Sequence, residues 1–260
     1  MTFPVMLGPD GWGLHPHLVF ETAAYFIAFR VYLAGRRRAG DVVPDATRWS
    51  LITAAAVGAV LGSRILFWLE DPRLTLAHLL DPNPAFLIGG KTIVGGLLGG
   101  WIAVELTKRF LGVRTATGDL LAVPLAVGIA VGRIGCFLTG LDDHTYGVAS
   151  SLPWAVDLGD GVRRHPTALY ESLAMLPLAI VLHRAQLARI GDRFKLFMVS
   201  YLTFRLLVDA FKPGIAFAGL TSIQWACAAA LGYYAHWWMR SRSGVPPPVT
   251  DPRALNHNVV

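Results

Sequence analysis

The sequence predicts an all-α polytopic membrane protein of about seven transmembrane helices, with its N-terminus outside and its C-terminus in the cytoplasm. Three observations predict it. Hydrophobic residues make up 54% of the 260-residue chain and charged residues only 15%, against roughly 25% charged in soluble domains. The mean hydropathy is +0.49. Basic residues crowd every second loop. This composition excludes a disordered chain and argues against a soluble enzyme. Two cysteines are too few for a disulfide scaffold.

A spanning helix needs about 20 mostly apolar residues. Seven segments qualify: residues 17–35, 49–69, 86–107, 119–140, 167–183, 195–212 and 220–239. Residues 1–16 read as a short extracytoplasmic N-terminus, without the basic start and apolar stretch of a signal peptide. The loops fix the orientation. Arg36, Arg37, Arg38, Arg48, Lys108, Arg109, Arg114, Arg184, Arg189, Arg193, Lys195, Arg240, Arg242 and Arg253 place fourteen basic residues on one side. Arg73, Arg163, Arg164 and Lys212 place four on the other. The side richer in Lys and Arg faces the cytoplasm. Topology thus explains the net charge of +6, and no nucleic-acid motif accompanies it. Residues 17–240 form one membrane domain, with an extracytoplasmic loop at 141–166. Residues 241–260, with Pro246, Pro247, Pro248 and Pro252, read as a disordered cytoplasmic tail.

Charges inside the spans carry the functional information. Arg30, Arg64, Lys91, Arg133 and Arg205 are joined there by Glu21, Glu105, Asp119, Glu171 and Asp209. Each costs roughly 2.5–3.5 kcal/mol at mid-membrane unless it pairs, reaches an interface or faces a polar cavity. Arg30, Glu105 and Asp119 lie near span ends and can snorkel. Arg64 has Glu21 or Glu70 as a partner, and Arg205 and Asp209, one helical turn apart, suit an ion pair. Arg133 sits well inside its span, between Gly132 and Gly135 on open flanks. Its planar fork suits an oxyanion or phosphate. Glycines cluster at Gly89-Gly90 and across Gly95, Gly96, Gly99 and Gly100. They fit either tight helix packing or a broken segment lining a cavity. Pro166 suits a helix start. Cys136 and Cys227 fall in separate spans, which predicts no disulfide between them. A polar, arginine-bearing cavity open to the outside would suit an anionic lipid headgroup.

The motifs then resemble those of the prolipoprotein diacylglyceryl transferase family. Gly132-Arg133-Ile134-Gly135-Cys136-Phe137-Leu138-Thr139-Gly140 is similar to its Gly-Arg-x-Gly-Asn-Phe-x-x-Gly signature. Val94-Gly95-Gly96-Leu97-Leu98-Gly99 resembles its His-Gly-Gly-Leu-x-Gly segment. His165-Pro166-Thr167-Ala168-Leu169-Tyr170-Glu171 resembles His-Pro-Ser-Gln-Leu-Tyr-Glu, and Phe204-Arg205 with Asp209 resembles a Phe-Arg followed by an acid. Gly62-Ser63-Arg64-Ile65 fits an early Gly-x-Arg segment. The resemblance covers most of residues 17–240. It implies a multi-pass protein of the bacterial cytoplasmic (inner) membrane. The implied activity moves diacylglyceryl from phosphatidylglycerol to the lipobox cysteine of a preprotein, and glycerol phosphate leaves. No metal or cofactor is implied. Arg133 and Arg205 would hold the lipid phosphate and stabilise charge on the leaving group.

Three positions depart from the pattern. Val94 stands in place of the family histidine, Cys136 in place of the asparagine, and Val19 or Phe20 in the region of a first-span tyrosine. Valine accepts no proton, so His144, His165, Glu171 and Asp142 become candidate replacement bases. The candidate catalytic set is Arg133, Arg205, His144, His165 and Glu171. The candidate substrate-binding set is Arg64, Gly95, Gly96, Gly132, Gly135, Cys136, Tyr170 and Asp209. Three readings stay open: the diacylglyceryl transferase, another lipid-modifying enzyme on the same scaffold with a different acceptor or with Cys136 as nucleophile, and a non-catalytic anionic-lipid binder.

Overall fold

A computed structural model describes residues 3–8, 13–81 and 84–243. The tail expected at 241–260 lies almost wholly outside the described residues, as does the middle of the N-terminal segment. The described chain is mostly helical. Its helices are α1 (Pro16–Ala39), α2 (Asp45–Trp68), α3 (Pro72–Leu80), α4 (Pro84–Gly89), α5 (Ile93–Phe110), α6 (Asp119–Thr139), α7 (Thr167–Arg184), α8 (Asp192–Val208) and α9 (Ser222–Ser243). Among the described residues, three helical stretches are long and apolar enough to cross a membrane: Pro16–Ala39, Asp45–Trp68 and Asp119–Asp143.

Burial is inverted relative to a soluble protein. Tyr25, Phe26, Leu18, Val60 and Leu61 on α1 and α2 are exposed, whereas Arg48, Arg133, Glu171, Arg205 and Asp209 are buried. Water would reject this arrangement and hydrocarbon accepts it, because lipid tails are as apolar as these side chains.

α6 is the central helix and packs on α1, α7 and α8, while α5 packs on α2 and α9. Small residues permit the closest approaches. A Cβ on Gly62 would meet the Gly95 carbonyl oxygen at 2.3 Å and the Gly99 Cα at 2.7 Å. A Cβ on Gly135 would meet the Phe20 Cβ at 2.6 Å. The glycine-rich stretch therefore binds α5 to α2 backbone to backbone, and Gly135 seats α6 on α1.

Two boundaries differ from expectation. The third span does not run unbroken over 86–107. The helix stops at Gly89, and the chain resumes as α5 once the Thr92 hydroxyl caps the Gly95 N–H at 3.2 Å. Paired glycines make a helix costly here, and a Thr N-cap starts a new one. The loose turn is held by α2: the Ser63 carbonyl accepts from the Thr92 N–H at 3.3 Å, and Arg64 donates to the Gly90 carbonyl. The sixth span begins earlier than 195 and ends earlier than 212. Gly191, at φ 96°, turns the chain into α8, and Asp119 of α6 accepts from the N–H groups of Gly191 and Phe194 at 2.6 and 3.0 Å.

The loop at 141–166 is ordered by its own contacts. A short antiparallel pair, β1 (Val156–Asp157) and β2 (Arg163–Arg164), closes it. The Arg163 guanidinium holds the carbonyls of Leu152, Pro153 and Ala155. At the far side of the bundle, Arg48 ties the α1–α2 turn to the α5–α6 turn. It donates to Asp41 at 2.8 Å and to the Thr117 carbonyl at 2.8 Å. Burial alone would raise the Asp41 carboxyl, but Arg48 and Arg36 hold it below the ordinary carboxylate range.

Gly62→Val should abolish the α2–α5 contact, since its clashes are with backbone. Loss of monodisperse protein in detergent, or a thermal midpoint lowered by more than about 5 °C, would be the sign. Gly35→Ala, which meets nothing within 4 Å, should leave the midpoint unchanged or slightly higher. Equal behaviour of the two variants would contradict the packing assignment.

Candidate functional site

Charged side chains from three helices meet at one buried point. Arg133 comes from α6, Glu171 from α7, and Arg205 with Tyr201 from α8. The Glu171 carboxylate is fully buried. Its Oε2 lies 2.8 Å from Arg133 Nε and 3.2 Å from Arg205 Nη1, and its Oε1 accepts from the Tyr201 hydroxyl at 2.6 Å. Arg205 also meets Asp209 at 3.3 Å, and Thr221 donates to Asp209 at 2.5 Å. Tyr201, Arg205 and Asp209 recur every four residues, so they form one stripe of the α8 end. Ser172, beside Glu171, fixes α7 on α6 by donating to the Ala130 carbonyl at 2.8 Å.

Two guanidiniums against two carboxylates leave this node near neutrality. It still has donors to spare. Arg133 Nε sits at ion-pair distance from Glu171 without the alignment of a hydrogen bond, and Arg205 Nε is buried without an acceptor. A guanidinium carries five N–H groups, and Arg205 uses two of them on Glu171 and Asp209. Lys212, just past α8, lies within electrostatic reach of Arg205 and Arg133. Burial and those guanidiniums pull its ammonium down to about 7. Glu70, in the turn after α2, faces the same region. Burial and the Asp209 charge hold its carboxyl above the ordinary range. An oxyanion with two or more acceptor oxygens matches the unspent donors of Arg133 and Arg205.

A second cluster lies where the start of α1 meets the end of α6. His17 Nδ1 is 2.8 Å from Asp143 Oδ1, and His17 Nε2 is 3.2 Å from Glu21 Oε2. Glu21 also accepts from Lys91 at 2.6 Å and from Tyr25 at 3.1 Å. Arg133 links the two clusters, with its Nη1 3.5 Å from Cys136 Sγ.

The structure thus brings together Arg133, Arg205, Glu171 and Asp209, with Cys136 at their edge. It places the other expected residues elsewhere. His165 Nδ1 and Tyr170 share a hydrogen bond of 3.1 Å, Trp154 donates to Tyr170 at 2.8 Å, and the His165 ring packs on Phe211 at 4.9 Å. These contacts pin the 141–166 loop to the start of α7. His144 is exposed on that loop in a left-handed turn, and Asp142 is exposed beside it. Glu171 is engaged by two arginines and a tyrosine, which leaves it a poor proton acceptor. Arg64 pairs with neither Glu21 nor Glu70 but holds the break before α5. Gly95 and Gly135 pack helix on helix. A Cβ added at Gly96 would lie 3.6 Å from the Ala59 carbonyl oxygen and one at Gly132 3.7 Å from the Ala24 Cβ, both ordinary distances. Val94 is buried in the apolar core. His17, Asp143 and Tyr201 were not singled out by the sequence. The four-residue spacing of His17 to Glu21, and of Tyr201 to Arg205, was the available signal.

Glu171→Gln removes the anion that two buried guanidiniums share. Breaking a buried pair by deleting one partner costs about 3–5 kcal/mol. The variant should lose a large part of its thermal midpoint in detergent, and an unchanged midpoint would show that the arginines do not depend on Glu171.

A model of the prolipoprotein diacylglyceryl transferase family matches residues 11–239. A Polynucleobacter necessarius protein is 30% identical over 248 residues, covering 84% of this chain and 90% of its own length. A Geobacter sulfurreducens protein is 32% identical, covering 81% of each chain. A Leptothrix cholodnii protein is 32% identical, covering 75% of this chain and 78% of its own. All three bear the name phosphatidylglycerol–prolipoprotein diacylglyceryl transferase. With the match running through the helices that carry Arg133, Glu171 and Arg205, the chain belongs to the prolipoprotein diacylglyceryl transferase family.

Proposed function

We propose that this chain moves the diacylglyceryl group of phosphatidylglycerol to the lipobox cysteine of a prolipoprotein, in the bacterial cytoplasmic membrane. The observation that carries this reading is the meeting of Arg133 and Arg205 on Glu171, with Arg205 Nε buried and unspent. The lipid phosphate takes the free donors of both guanidiniums. Glu171 and Tyr201 keep the forks in place before substrate arrives. As the carbon–oxygen bond to the phosphate breaks, charge grows on the departing glycerol phosphate, and the preset donors stabilise it. Asp209, held by Thr221, orients Arg205.

The membrane placement belongs to the same proposal. α1, α2, α5, α6, α7, α8 and α9 overlie the seven apolar segments of the sequence. The bias of basic residues puts the N-terminus outside. The arginine node and the 141–166 loop then lie toward the outer face, where a preprotein arrives. Residues 17–240 act as one membrane domain and the remaining C-terminal residues as a cytoplasmic tail.

Val94 favours a second reading. A buried apolar side chain at the family's histidine position leaves the acceptor without that base, which fits an enzyme of the same scaffold with a different acceptor. Purified protein in phosphatidylglycerol vesicles with a lipobox peptide separates the readings. A diacylglyceryl adduct by mass spectrometry, with matching glycerol phosphate release, is expected. Arg133→Lys should lower both about 100-fold or more, because an ammonium cannot replace a two-pronged donor. Release without adduct would favour the second reading. Neither signal from folded protein would overturn both and leave lipid binding.

A further inference from the structure

The family reaction needs a thiolate, and Glu171, the candidate base within the arginine node, is held by Arg133, Arg205 and Tyr201. The His17–Cys136–Asp143 cluster offers a different route. One donor atom from each, the imidazole nitrogen, Sγ and a carboxylate oxygen, all lie within 4.8 Å of one another. Histidine, cysteine and aspartate are zinc ligands.

Each of the three also has an outer partner that aims it inward. Glu21 takes the far nitrogen of His17, at 3.2 Å, and is itself fixed by Lys91. Thr145 donates to Asp143 Oδ2 at 2.6 Å, leaving Oδ1 toward His17. Arg133 donates to Cys136 Sγ at 3.5 Å. A carboxylate behind the histidine and hydrogen bonds behind the other ligands are the usual supports of metal sites. A metal on His17 Nδ1 would take the place of the proton between that nitrogen and Asp143. The bond between His17 and Asp143, at 2.8 Å, is a proton's length. Two ligands on a tetrahedral zinc sit roughly 3.4 Å apart, so a metal replacing that proton requires a shift of about half an ångström. Three protein ligands leave one position open, as in catalytic zinc sites. Cys136 also borders a small pocket lined by Phe137, Thr145, Tyr146, Leu158 and Thr167.

We propose that His17, Cys136 and Asp143 form a three-ligand site for zinc, whose open fourth position takes the acceptor thiol as a thiolate. The role, though not the site, rests on the transferase reading above. Loading the metal releases the His17 Nδ1 proton and the Cys136 thiol proton to water, and on binding the acceptor S–H likewise gives its proton to water as its sulfur joins the metal. The sulfur then attacks the diacylglyceryl carbon bonded to the phosphate oxygen. That carbon–oxygen bond breaks, and its electron pair leaves with glycerol phosphate on Arg133 and Arg205. The thioether so formed is a weak ligand and departs. Zinc at this site would do for the thiol what the histidine missing at Val94 cannot.

The test uses full-length protein stripped with a chelator and titrated with one equivalent of cobalt(II). A sulfur-to-cobalt absorption band is expected. It should be lost in Cys136→Ser and weakened at least tenfold in affinity in His17→Ala, with both variants eluting as folded protein. Adding a lipobox peptide should raise the band about twofold, and a peptide with serine for cysteine should not. In phosphatidylglycerol vesicles, stripping should lower transfer at least tenfold and one equivalent of zinc should restore it. No band, or the same band in Cys136→Ser, overturns the site. A band that peptide does not change, or transfer unaffected by stripping, overturns the role while the transferase reading stands. A band that grows with peptide, without transfer under any metal, supports the site and removes the transferase reading instead.

Discussion

The Glu171 carboxylate, buried between Arg133 and Arg205, is the constraint on which the rest of the structure depends. Three charged groups cannot enter a helix bundle singly. Pairing among them, completed by Asp209 on Arg205, lets α6, α7 and α8 converge, and Tyr201 and Ser172 add hydrogen bonds that set the helix positions. The same arrangement leaves guanidinium donors with no protein acceptor. A site that must hold a phosphate cannot satisfy all of its donors internally, because the ligand would then have nothing to bind.

The apolar exterior follows from the same solvent logic. Exposed leucine, valine and phenylalanine on α1 and α2 meet lipid, and the polar groups turn inward. Glycine contacts between α2 and α5 and between α1 and α6 replace the hydrophobic driving force that lipid removes. Gly135 serves this packing and also sets the next residue, Cys136, beside the first turn of α1. The arginine node and the His17 cluster are therefore neighbours, joined through Arg133.

Much of this was legible in the sequence. Each of the seven apolar segments overlaps a helix, and the family motifs lead to Arg133, Glu171, Arg205 and Asp209. The pairing of Arg205 with Asp209 could be read from one helical turn of spacing. Other features were not legible. The break before α5 was visible only as a glycine cluster, which packing explained equally well, and both roles hold. The β1–β2 pair has two residues per strand, too few for any alternation to register. His17 and Asp143 meet because α1 packs along α6, a contact that no local pattern encodes. The histidines of the 141–166 loop looked available because loops carry function, and in the structure His165 Nδ1 bonds Tyr170 while its ring packs on Phe211.

The most direct test asks whether the two arginines hold the lipid phosphate. Native mass spectrometry of protein released from mixed phosphatidylglycerol and phosphatidylethanolamine membranes would read which lipid stays bound. The wild-type chain should retain phosphatidylglycerol preferentially. Arg133→Lys and Arg205→Lys, which keep the charge but lose the fork, should lose that preference while keeping their fold. Undiminished retention of phosphatidylglycerol by both variants would contradict the assignment.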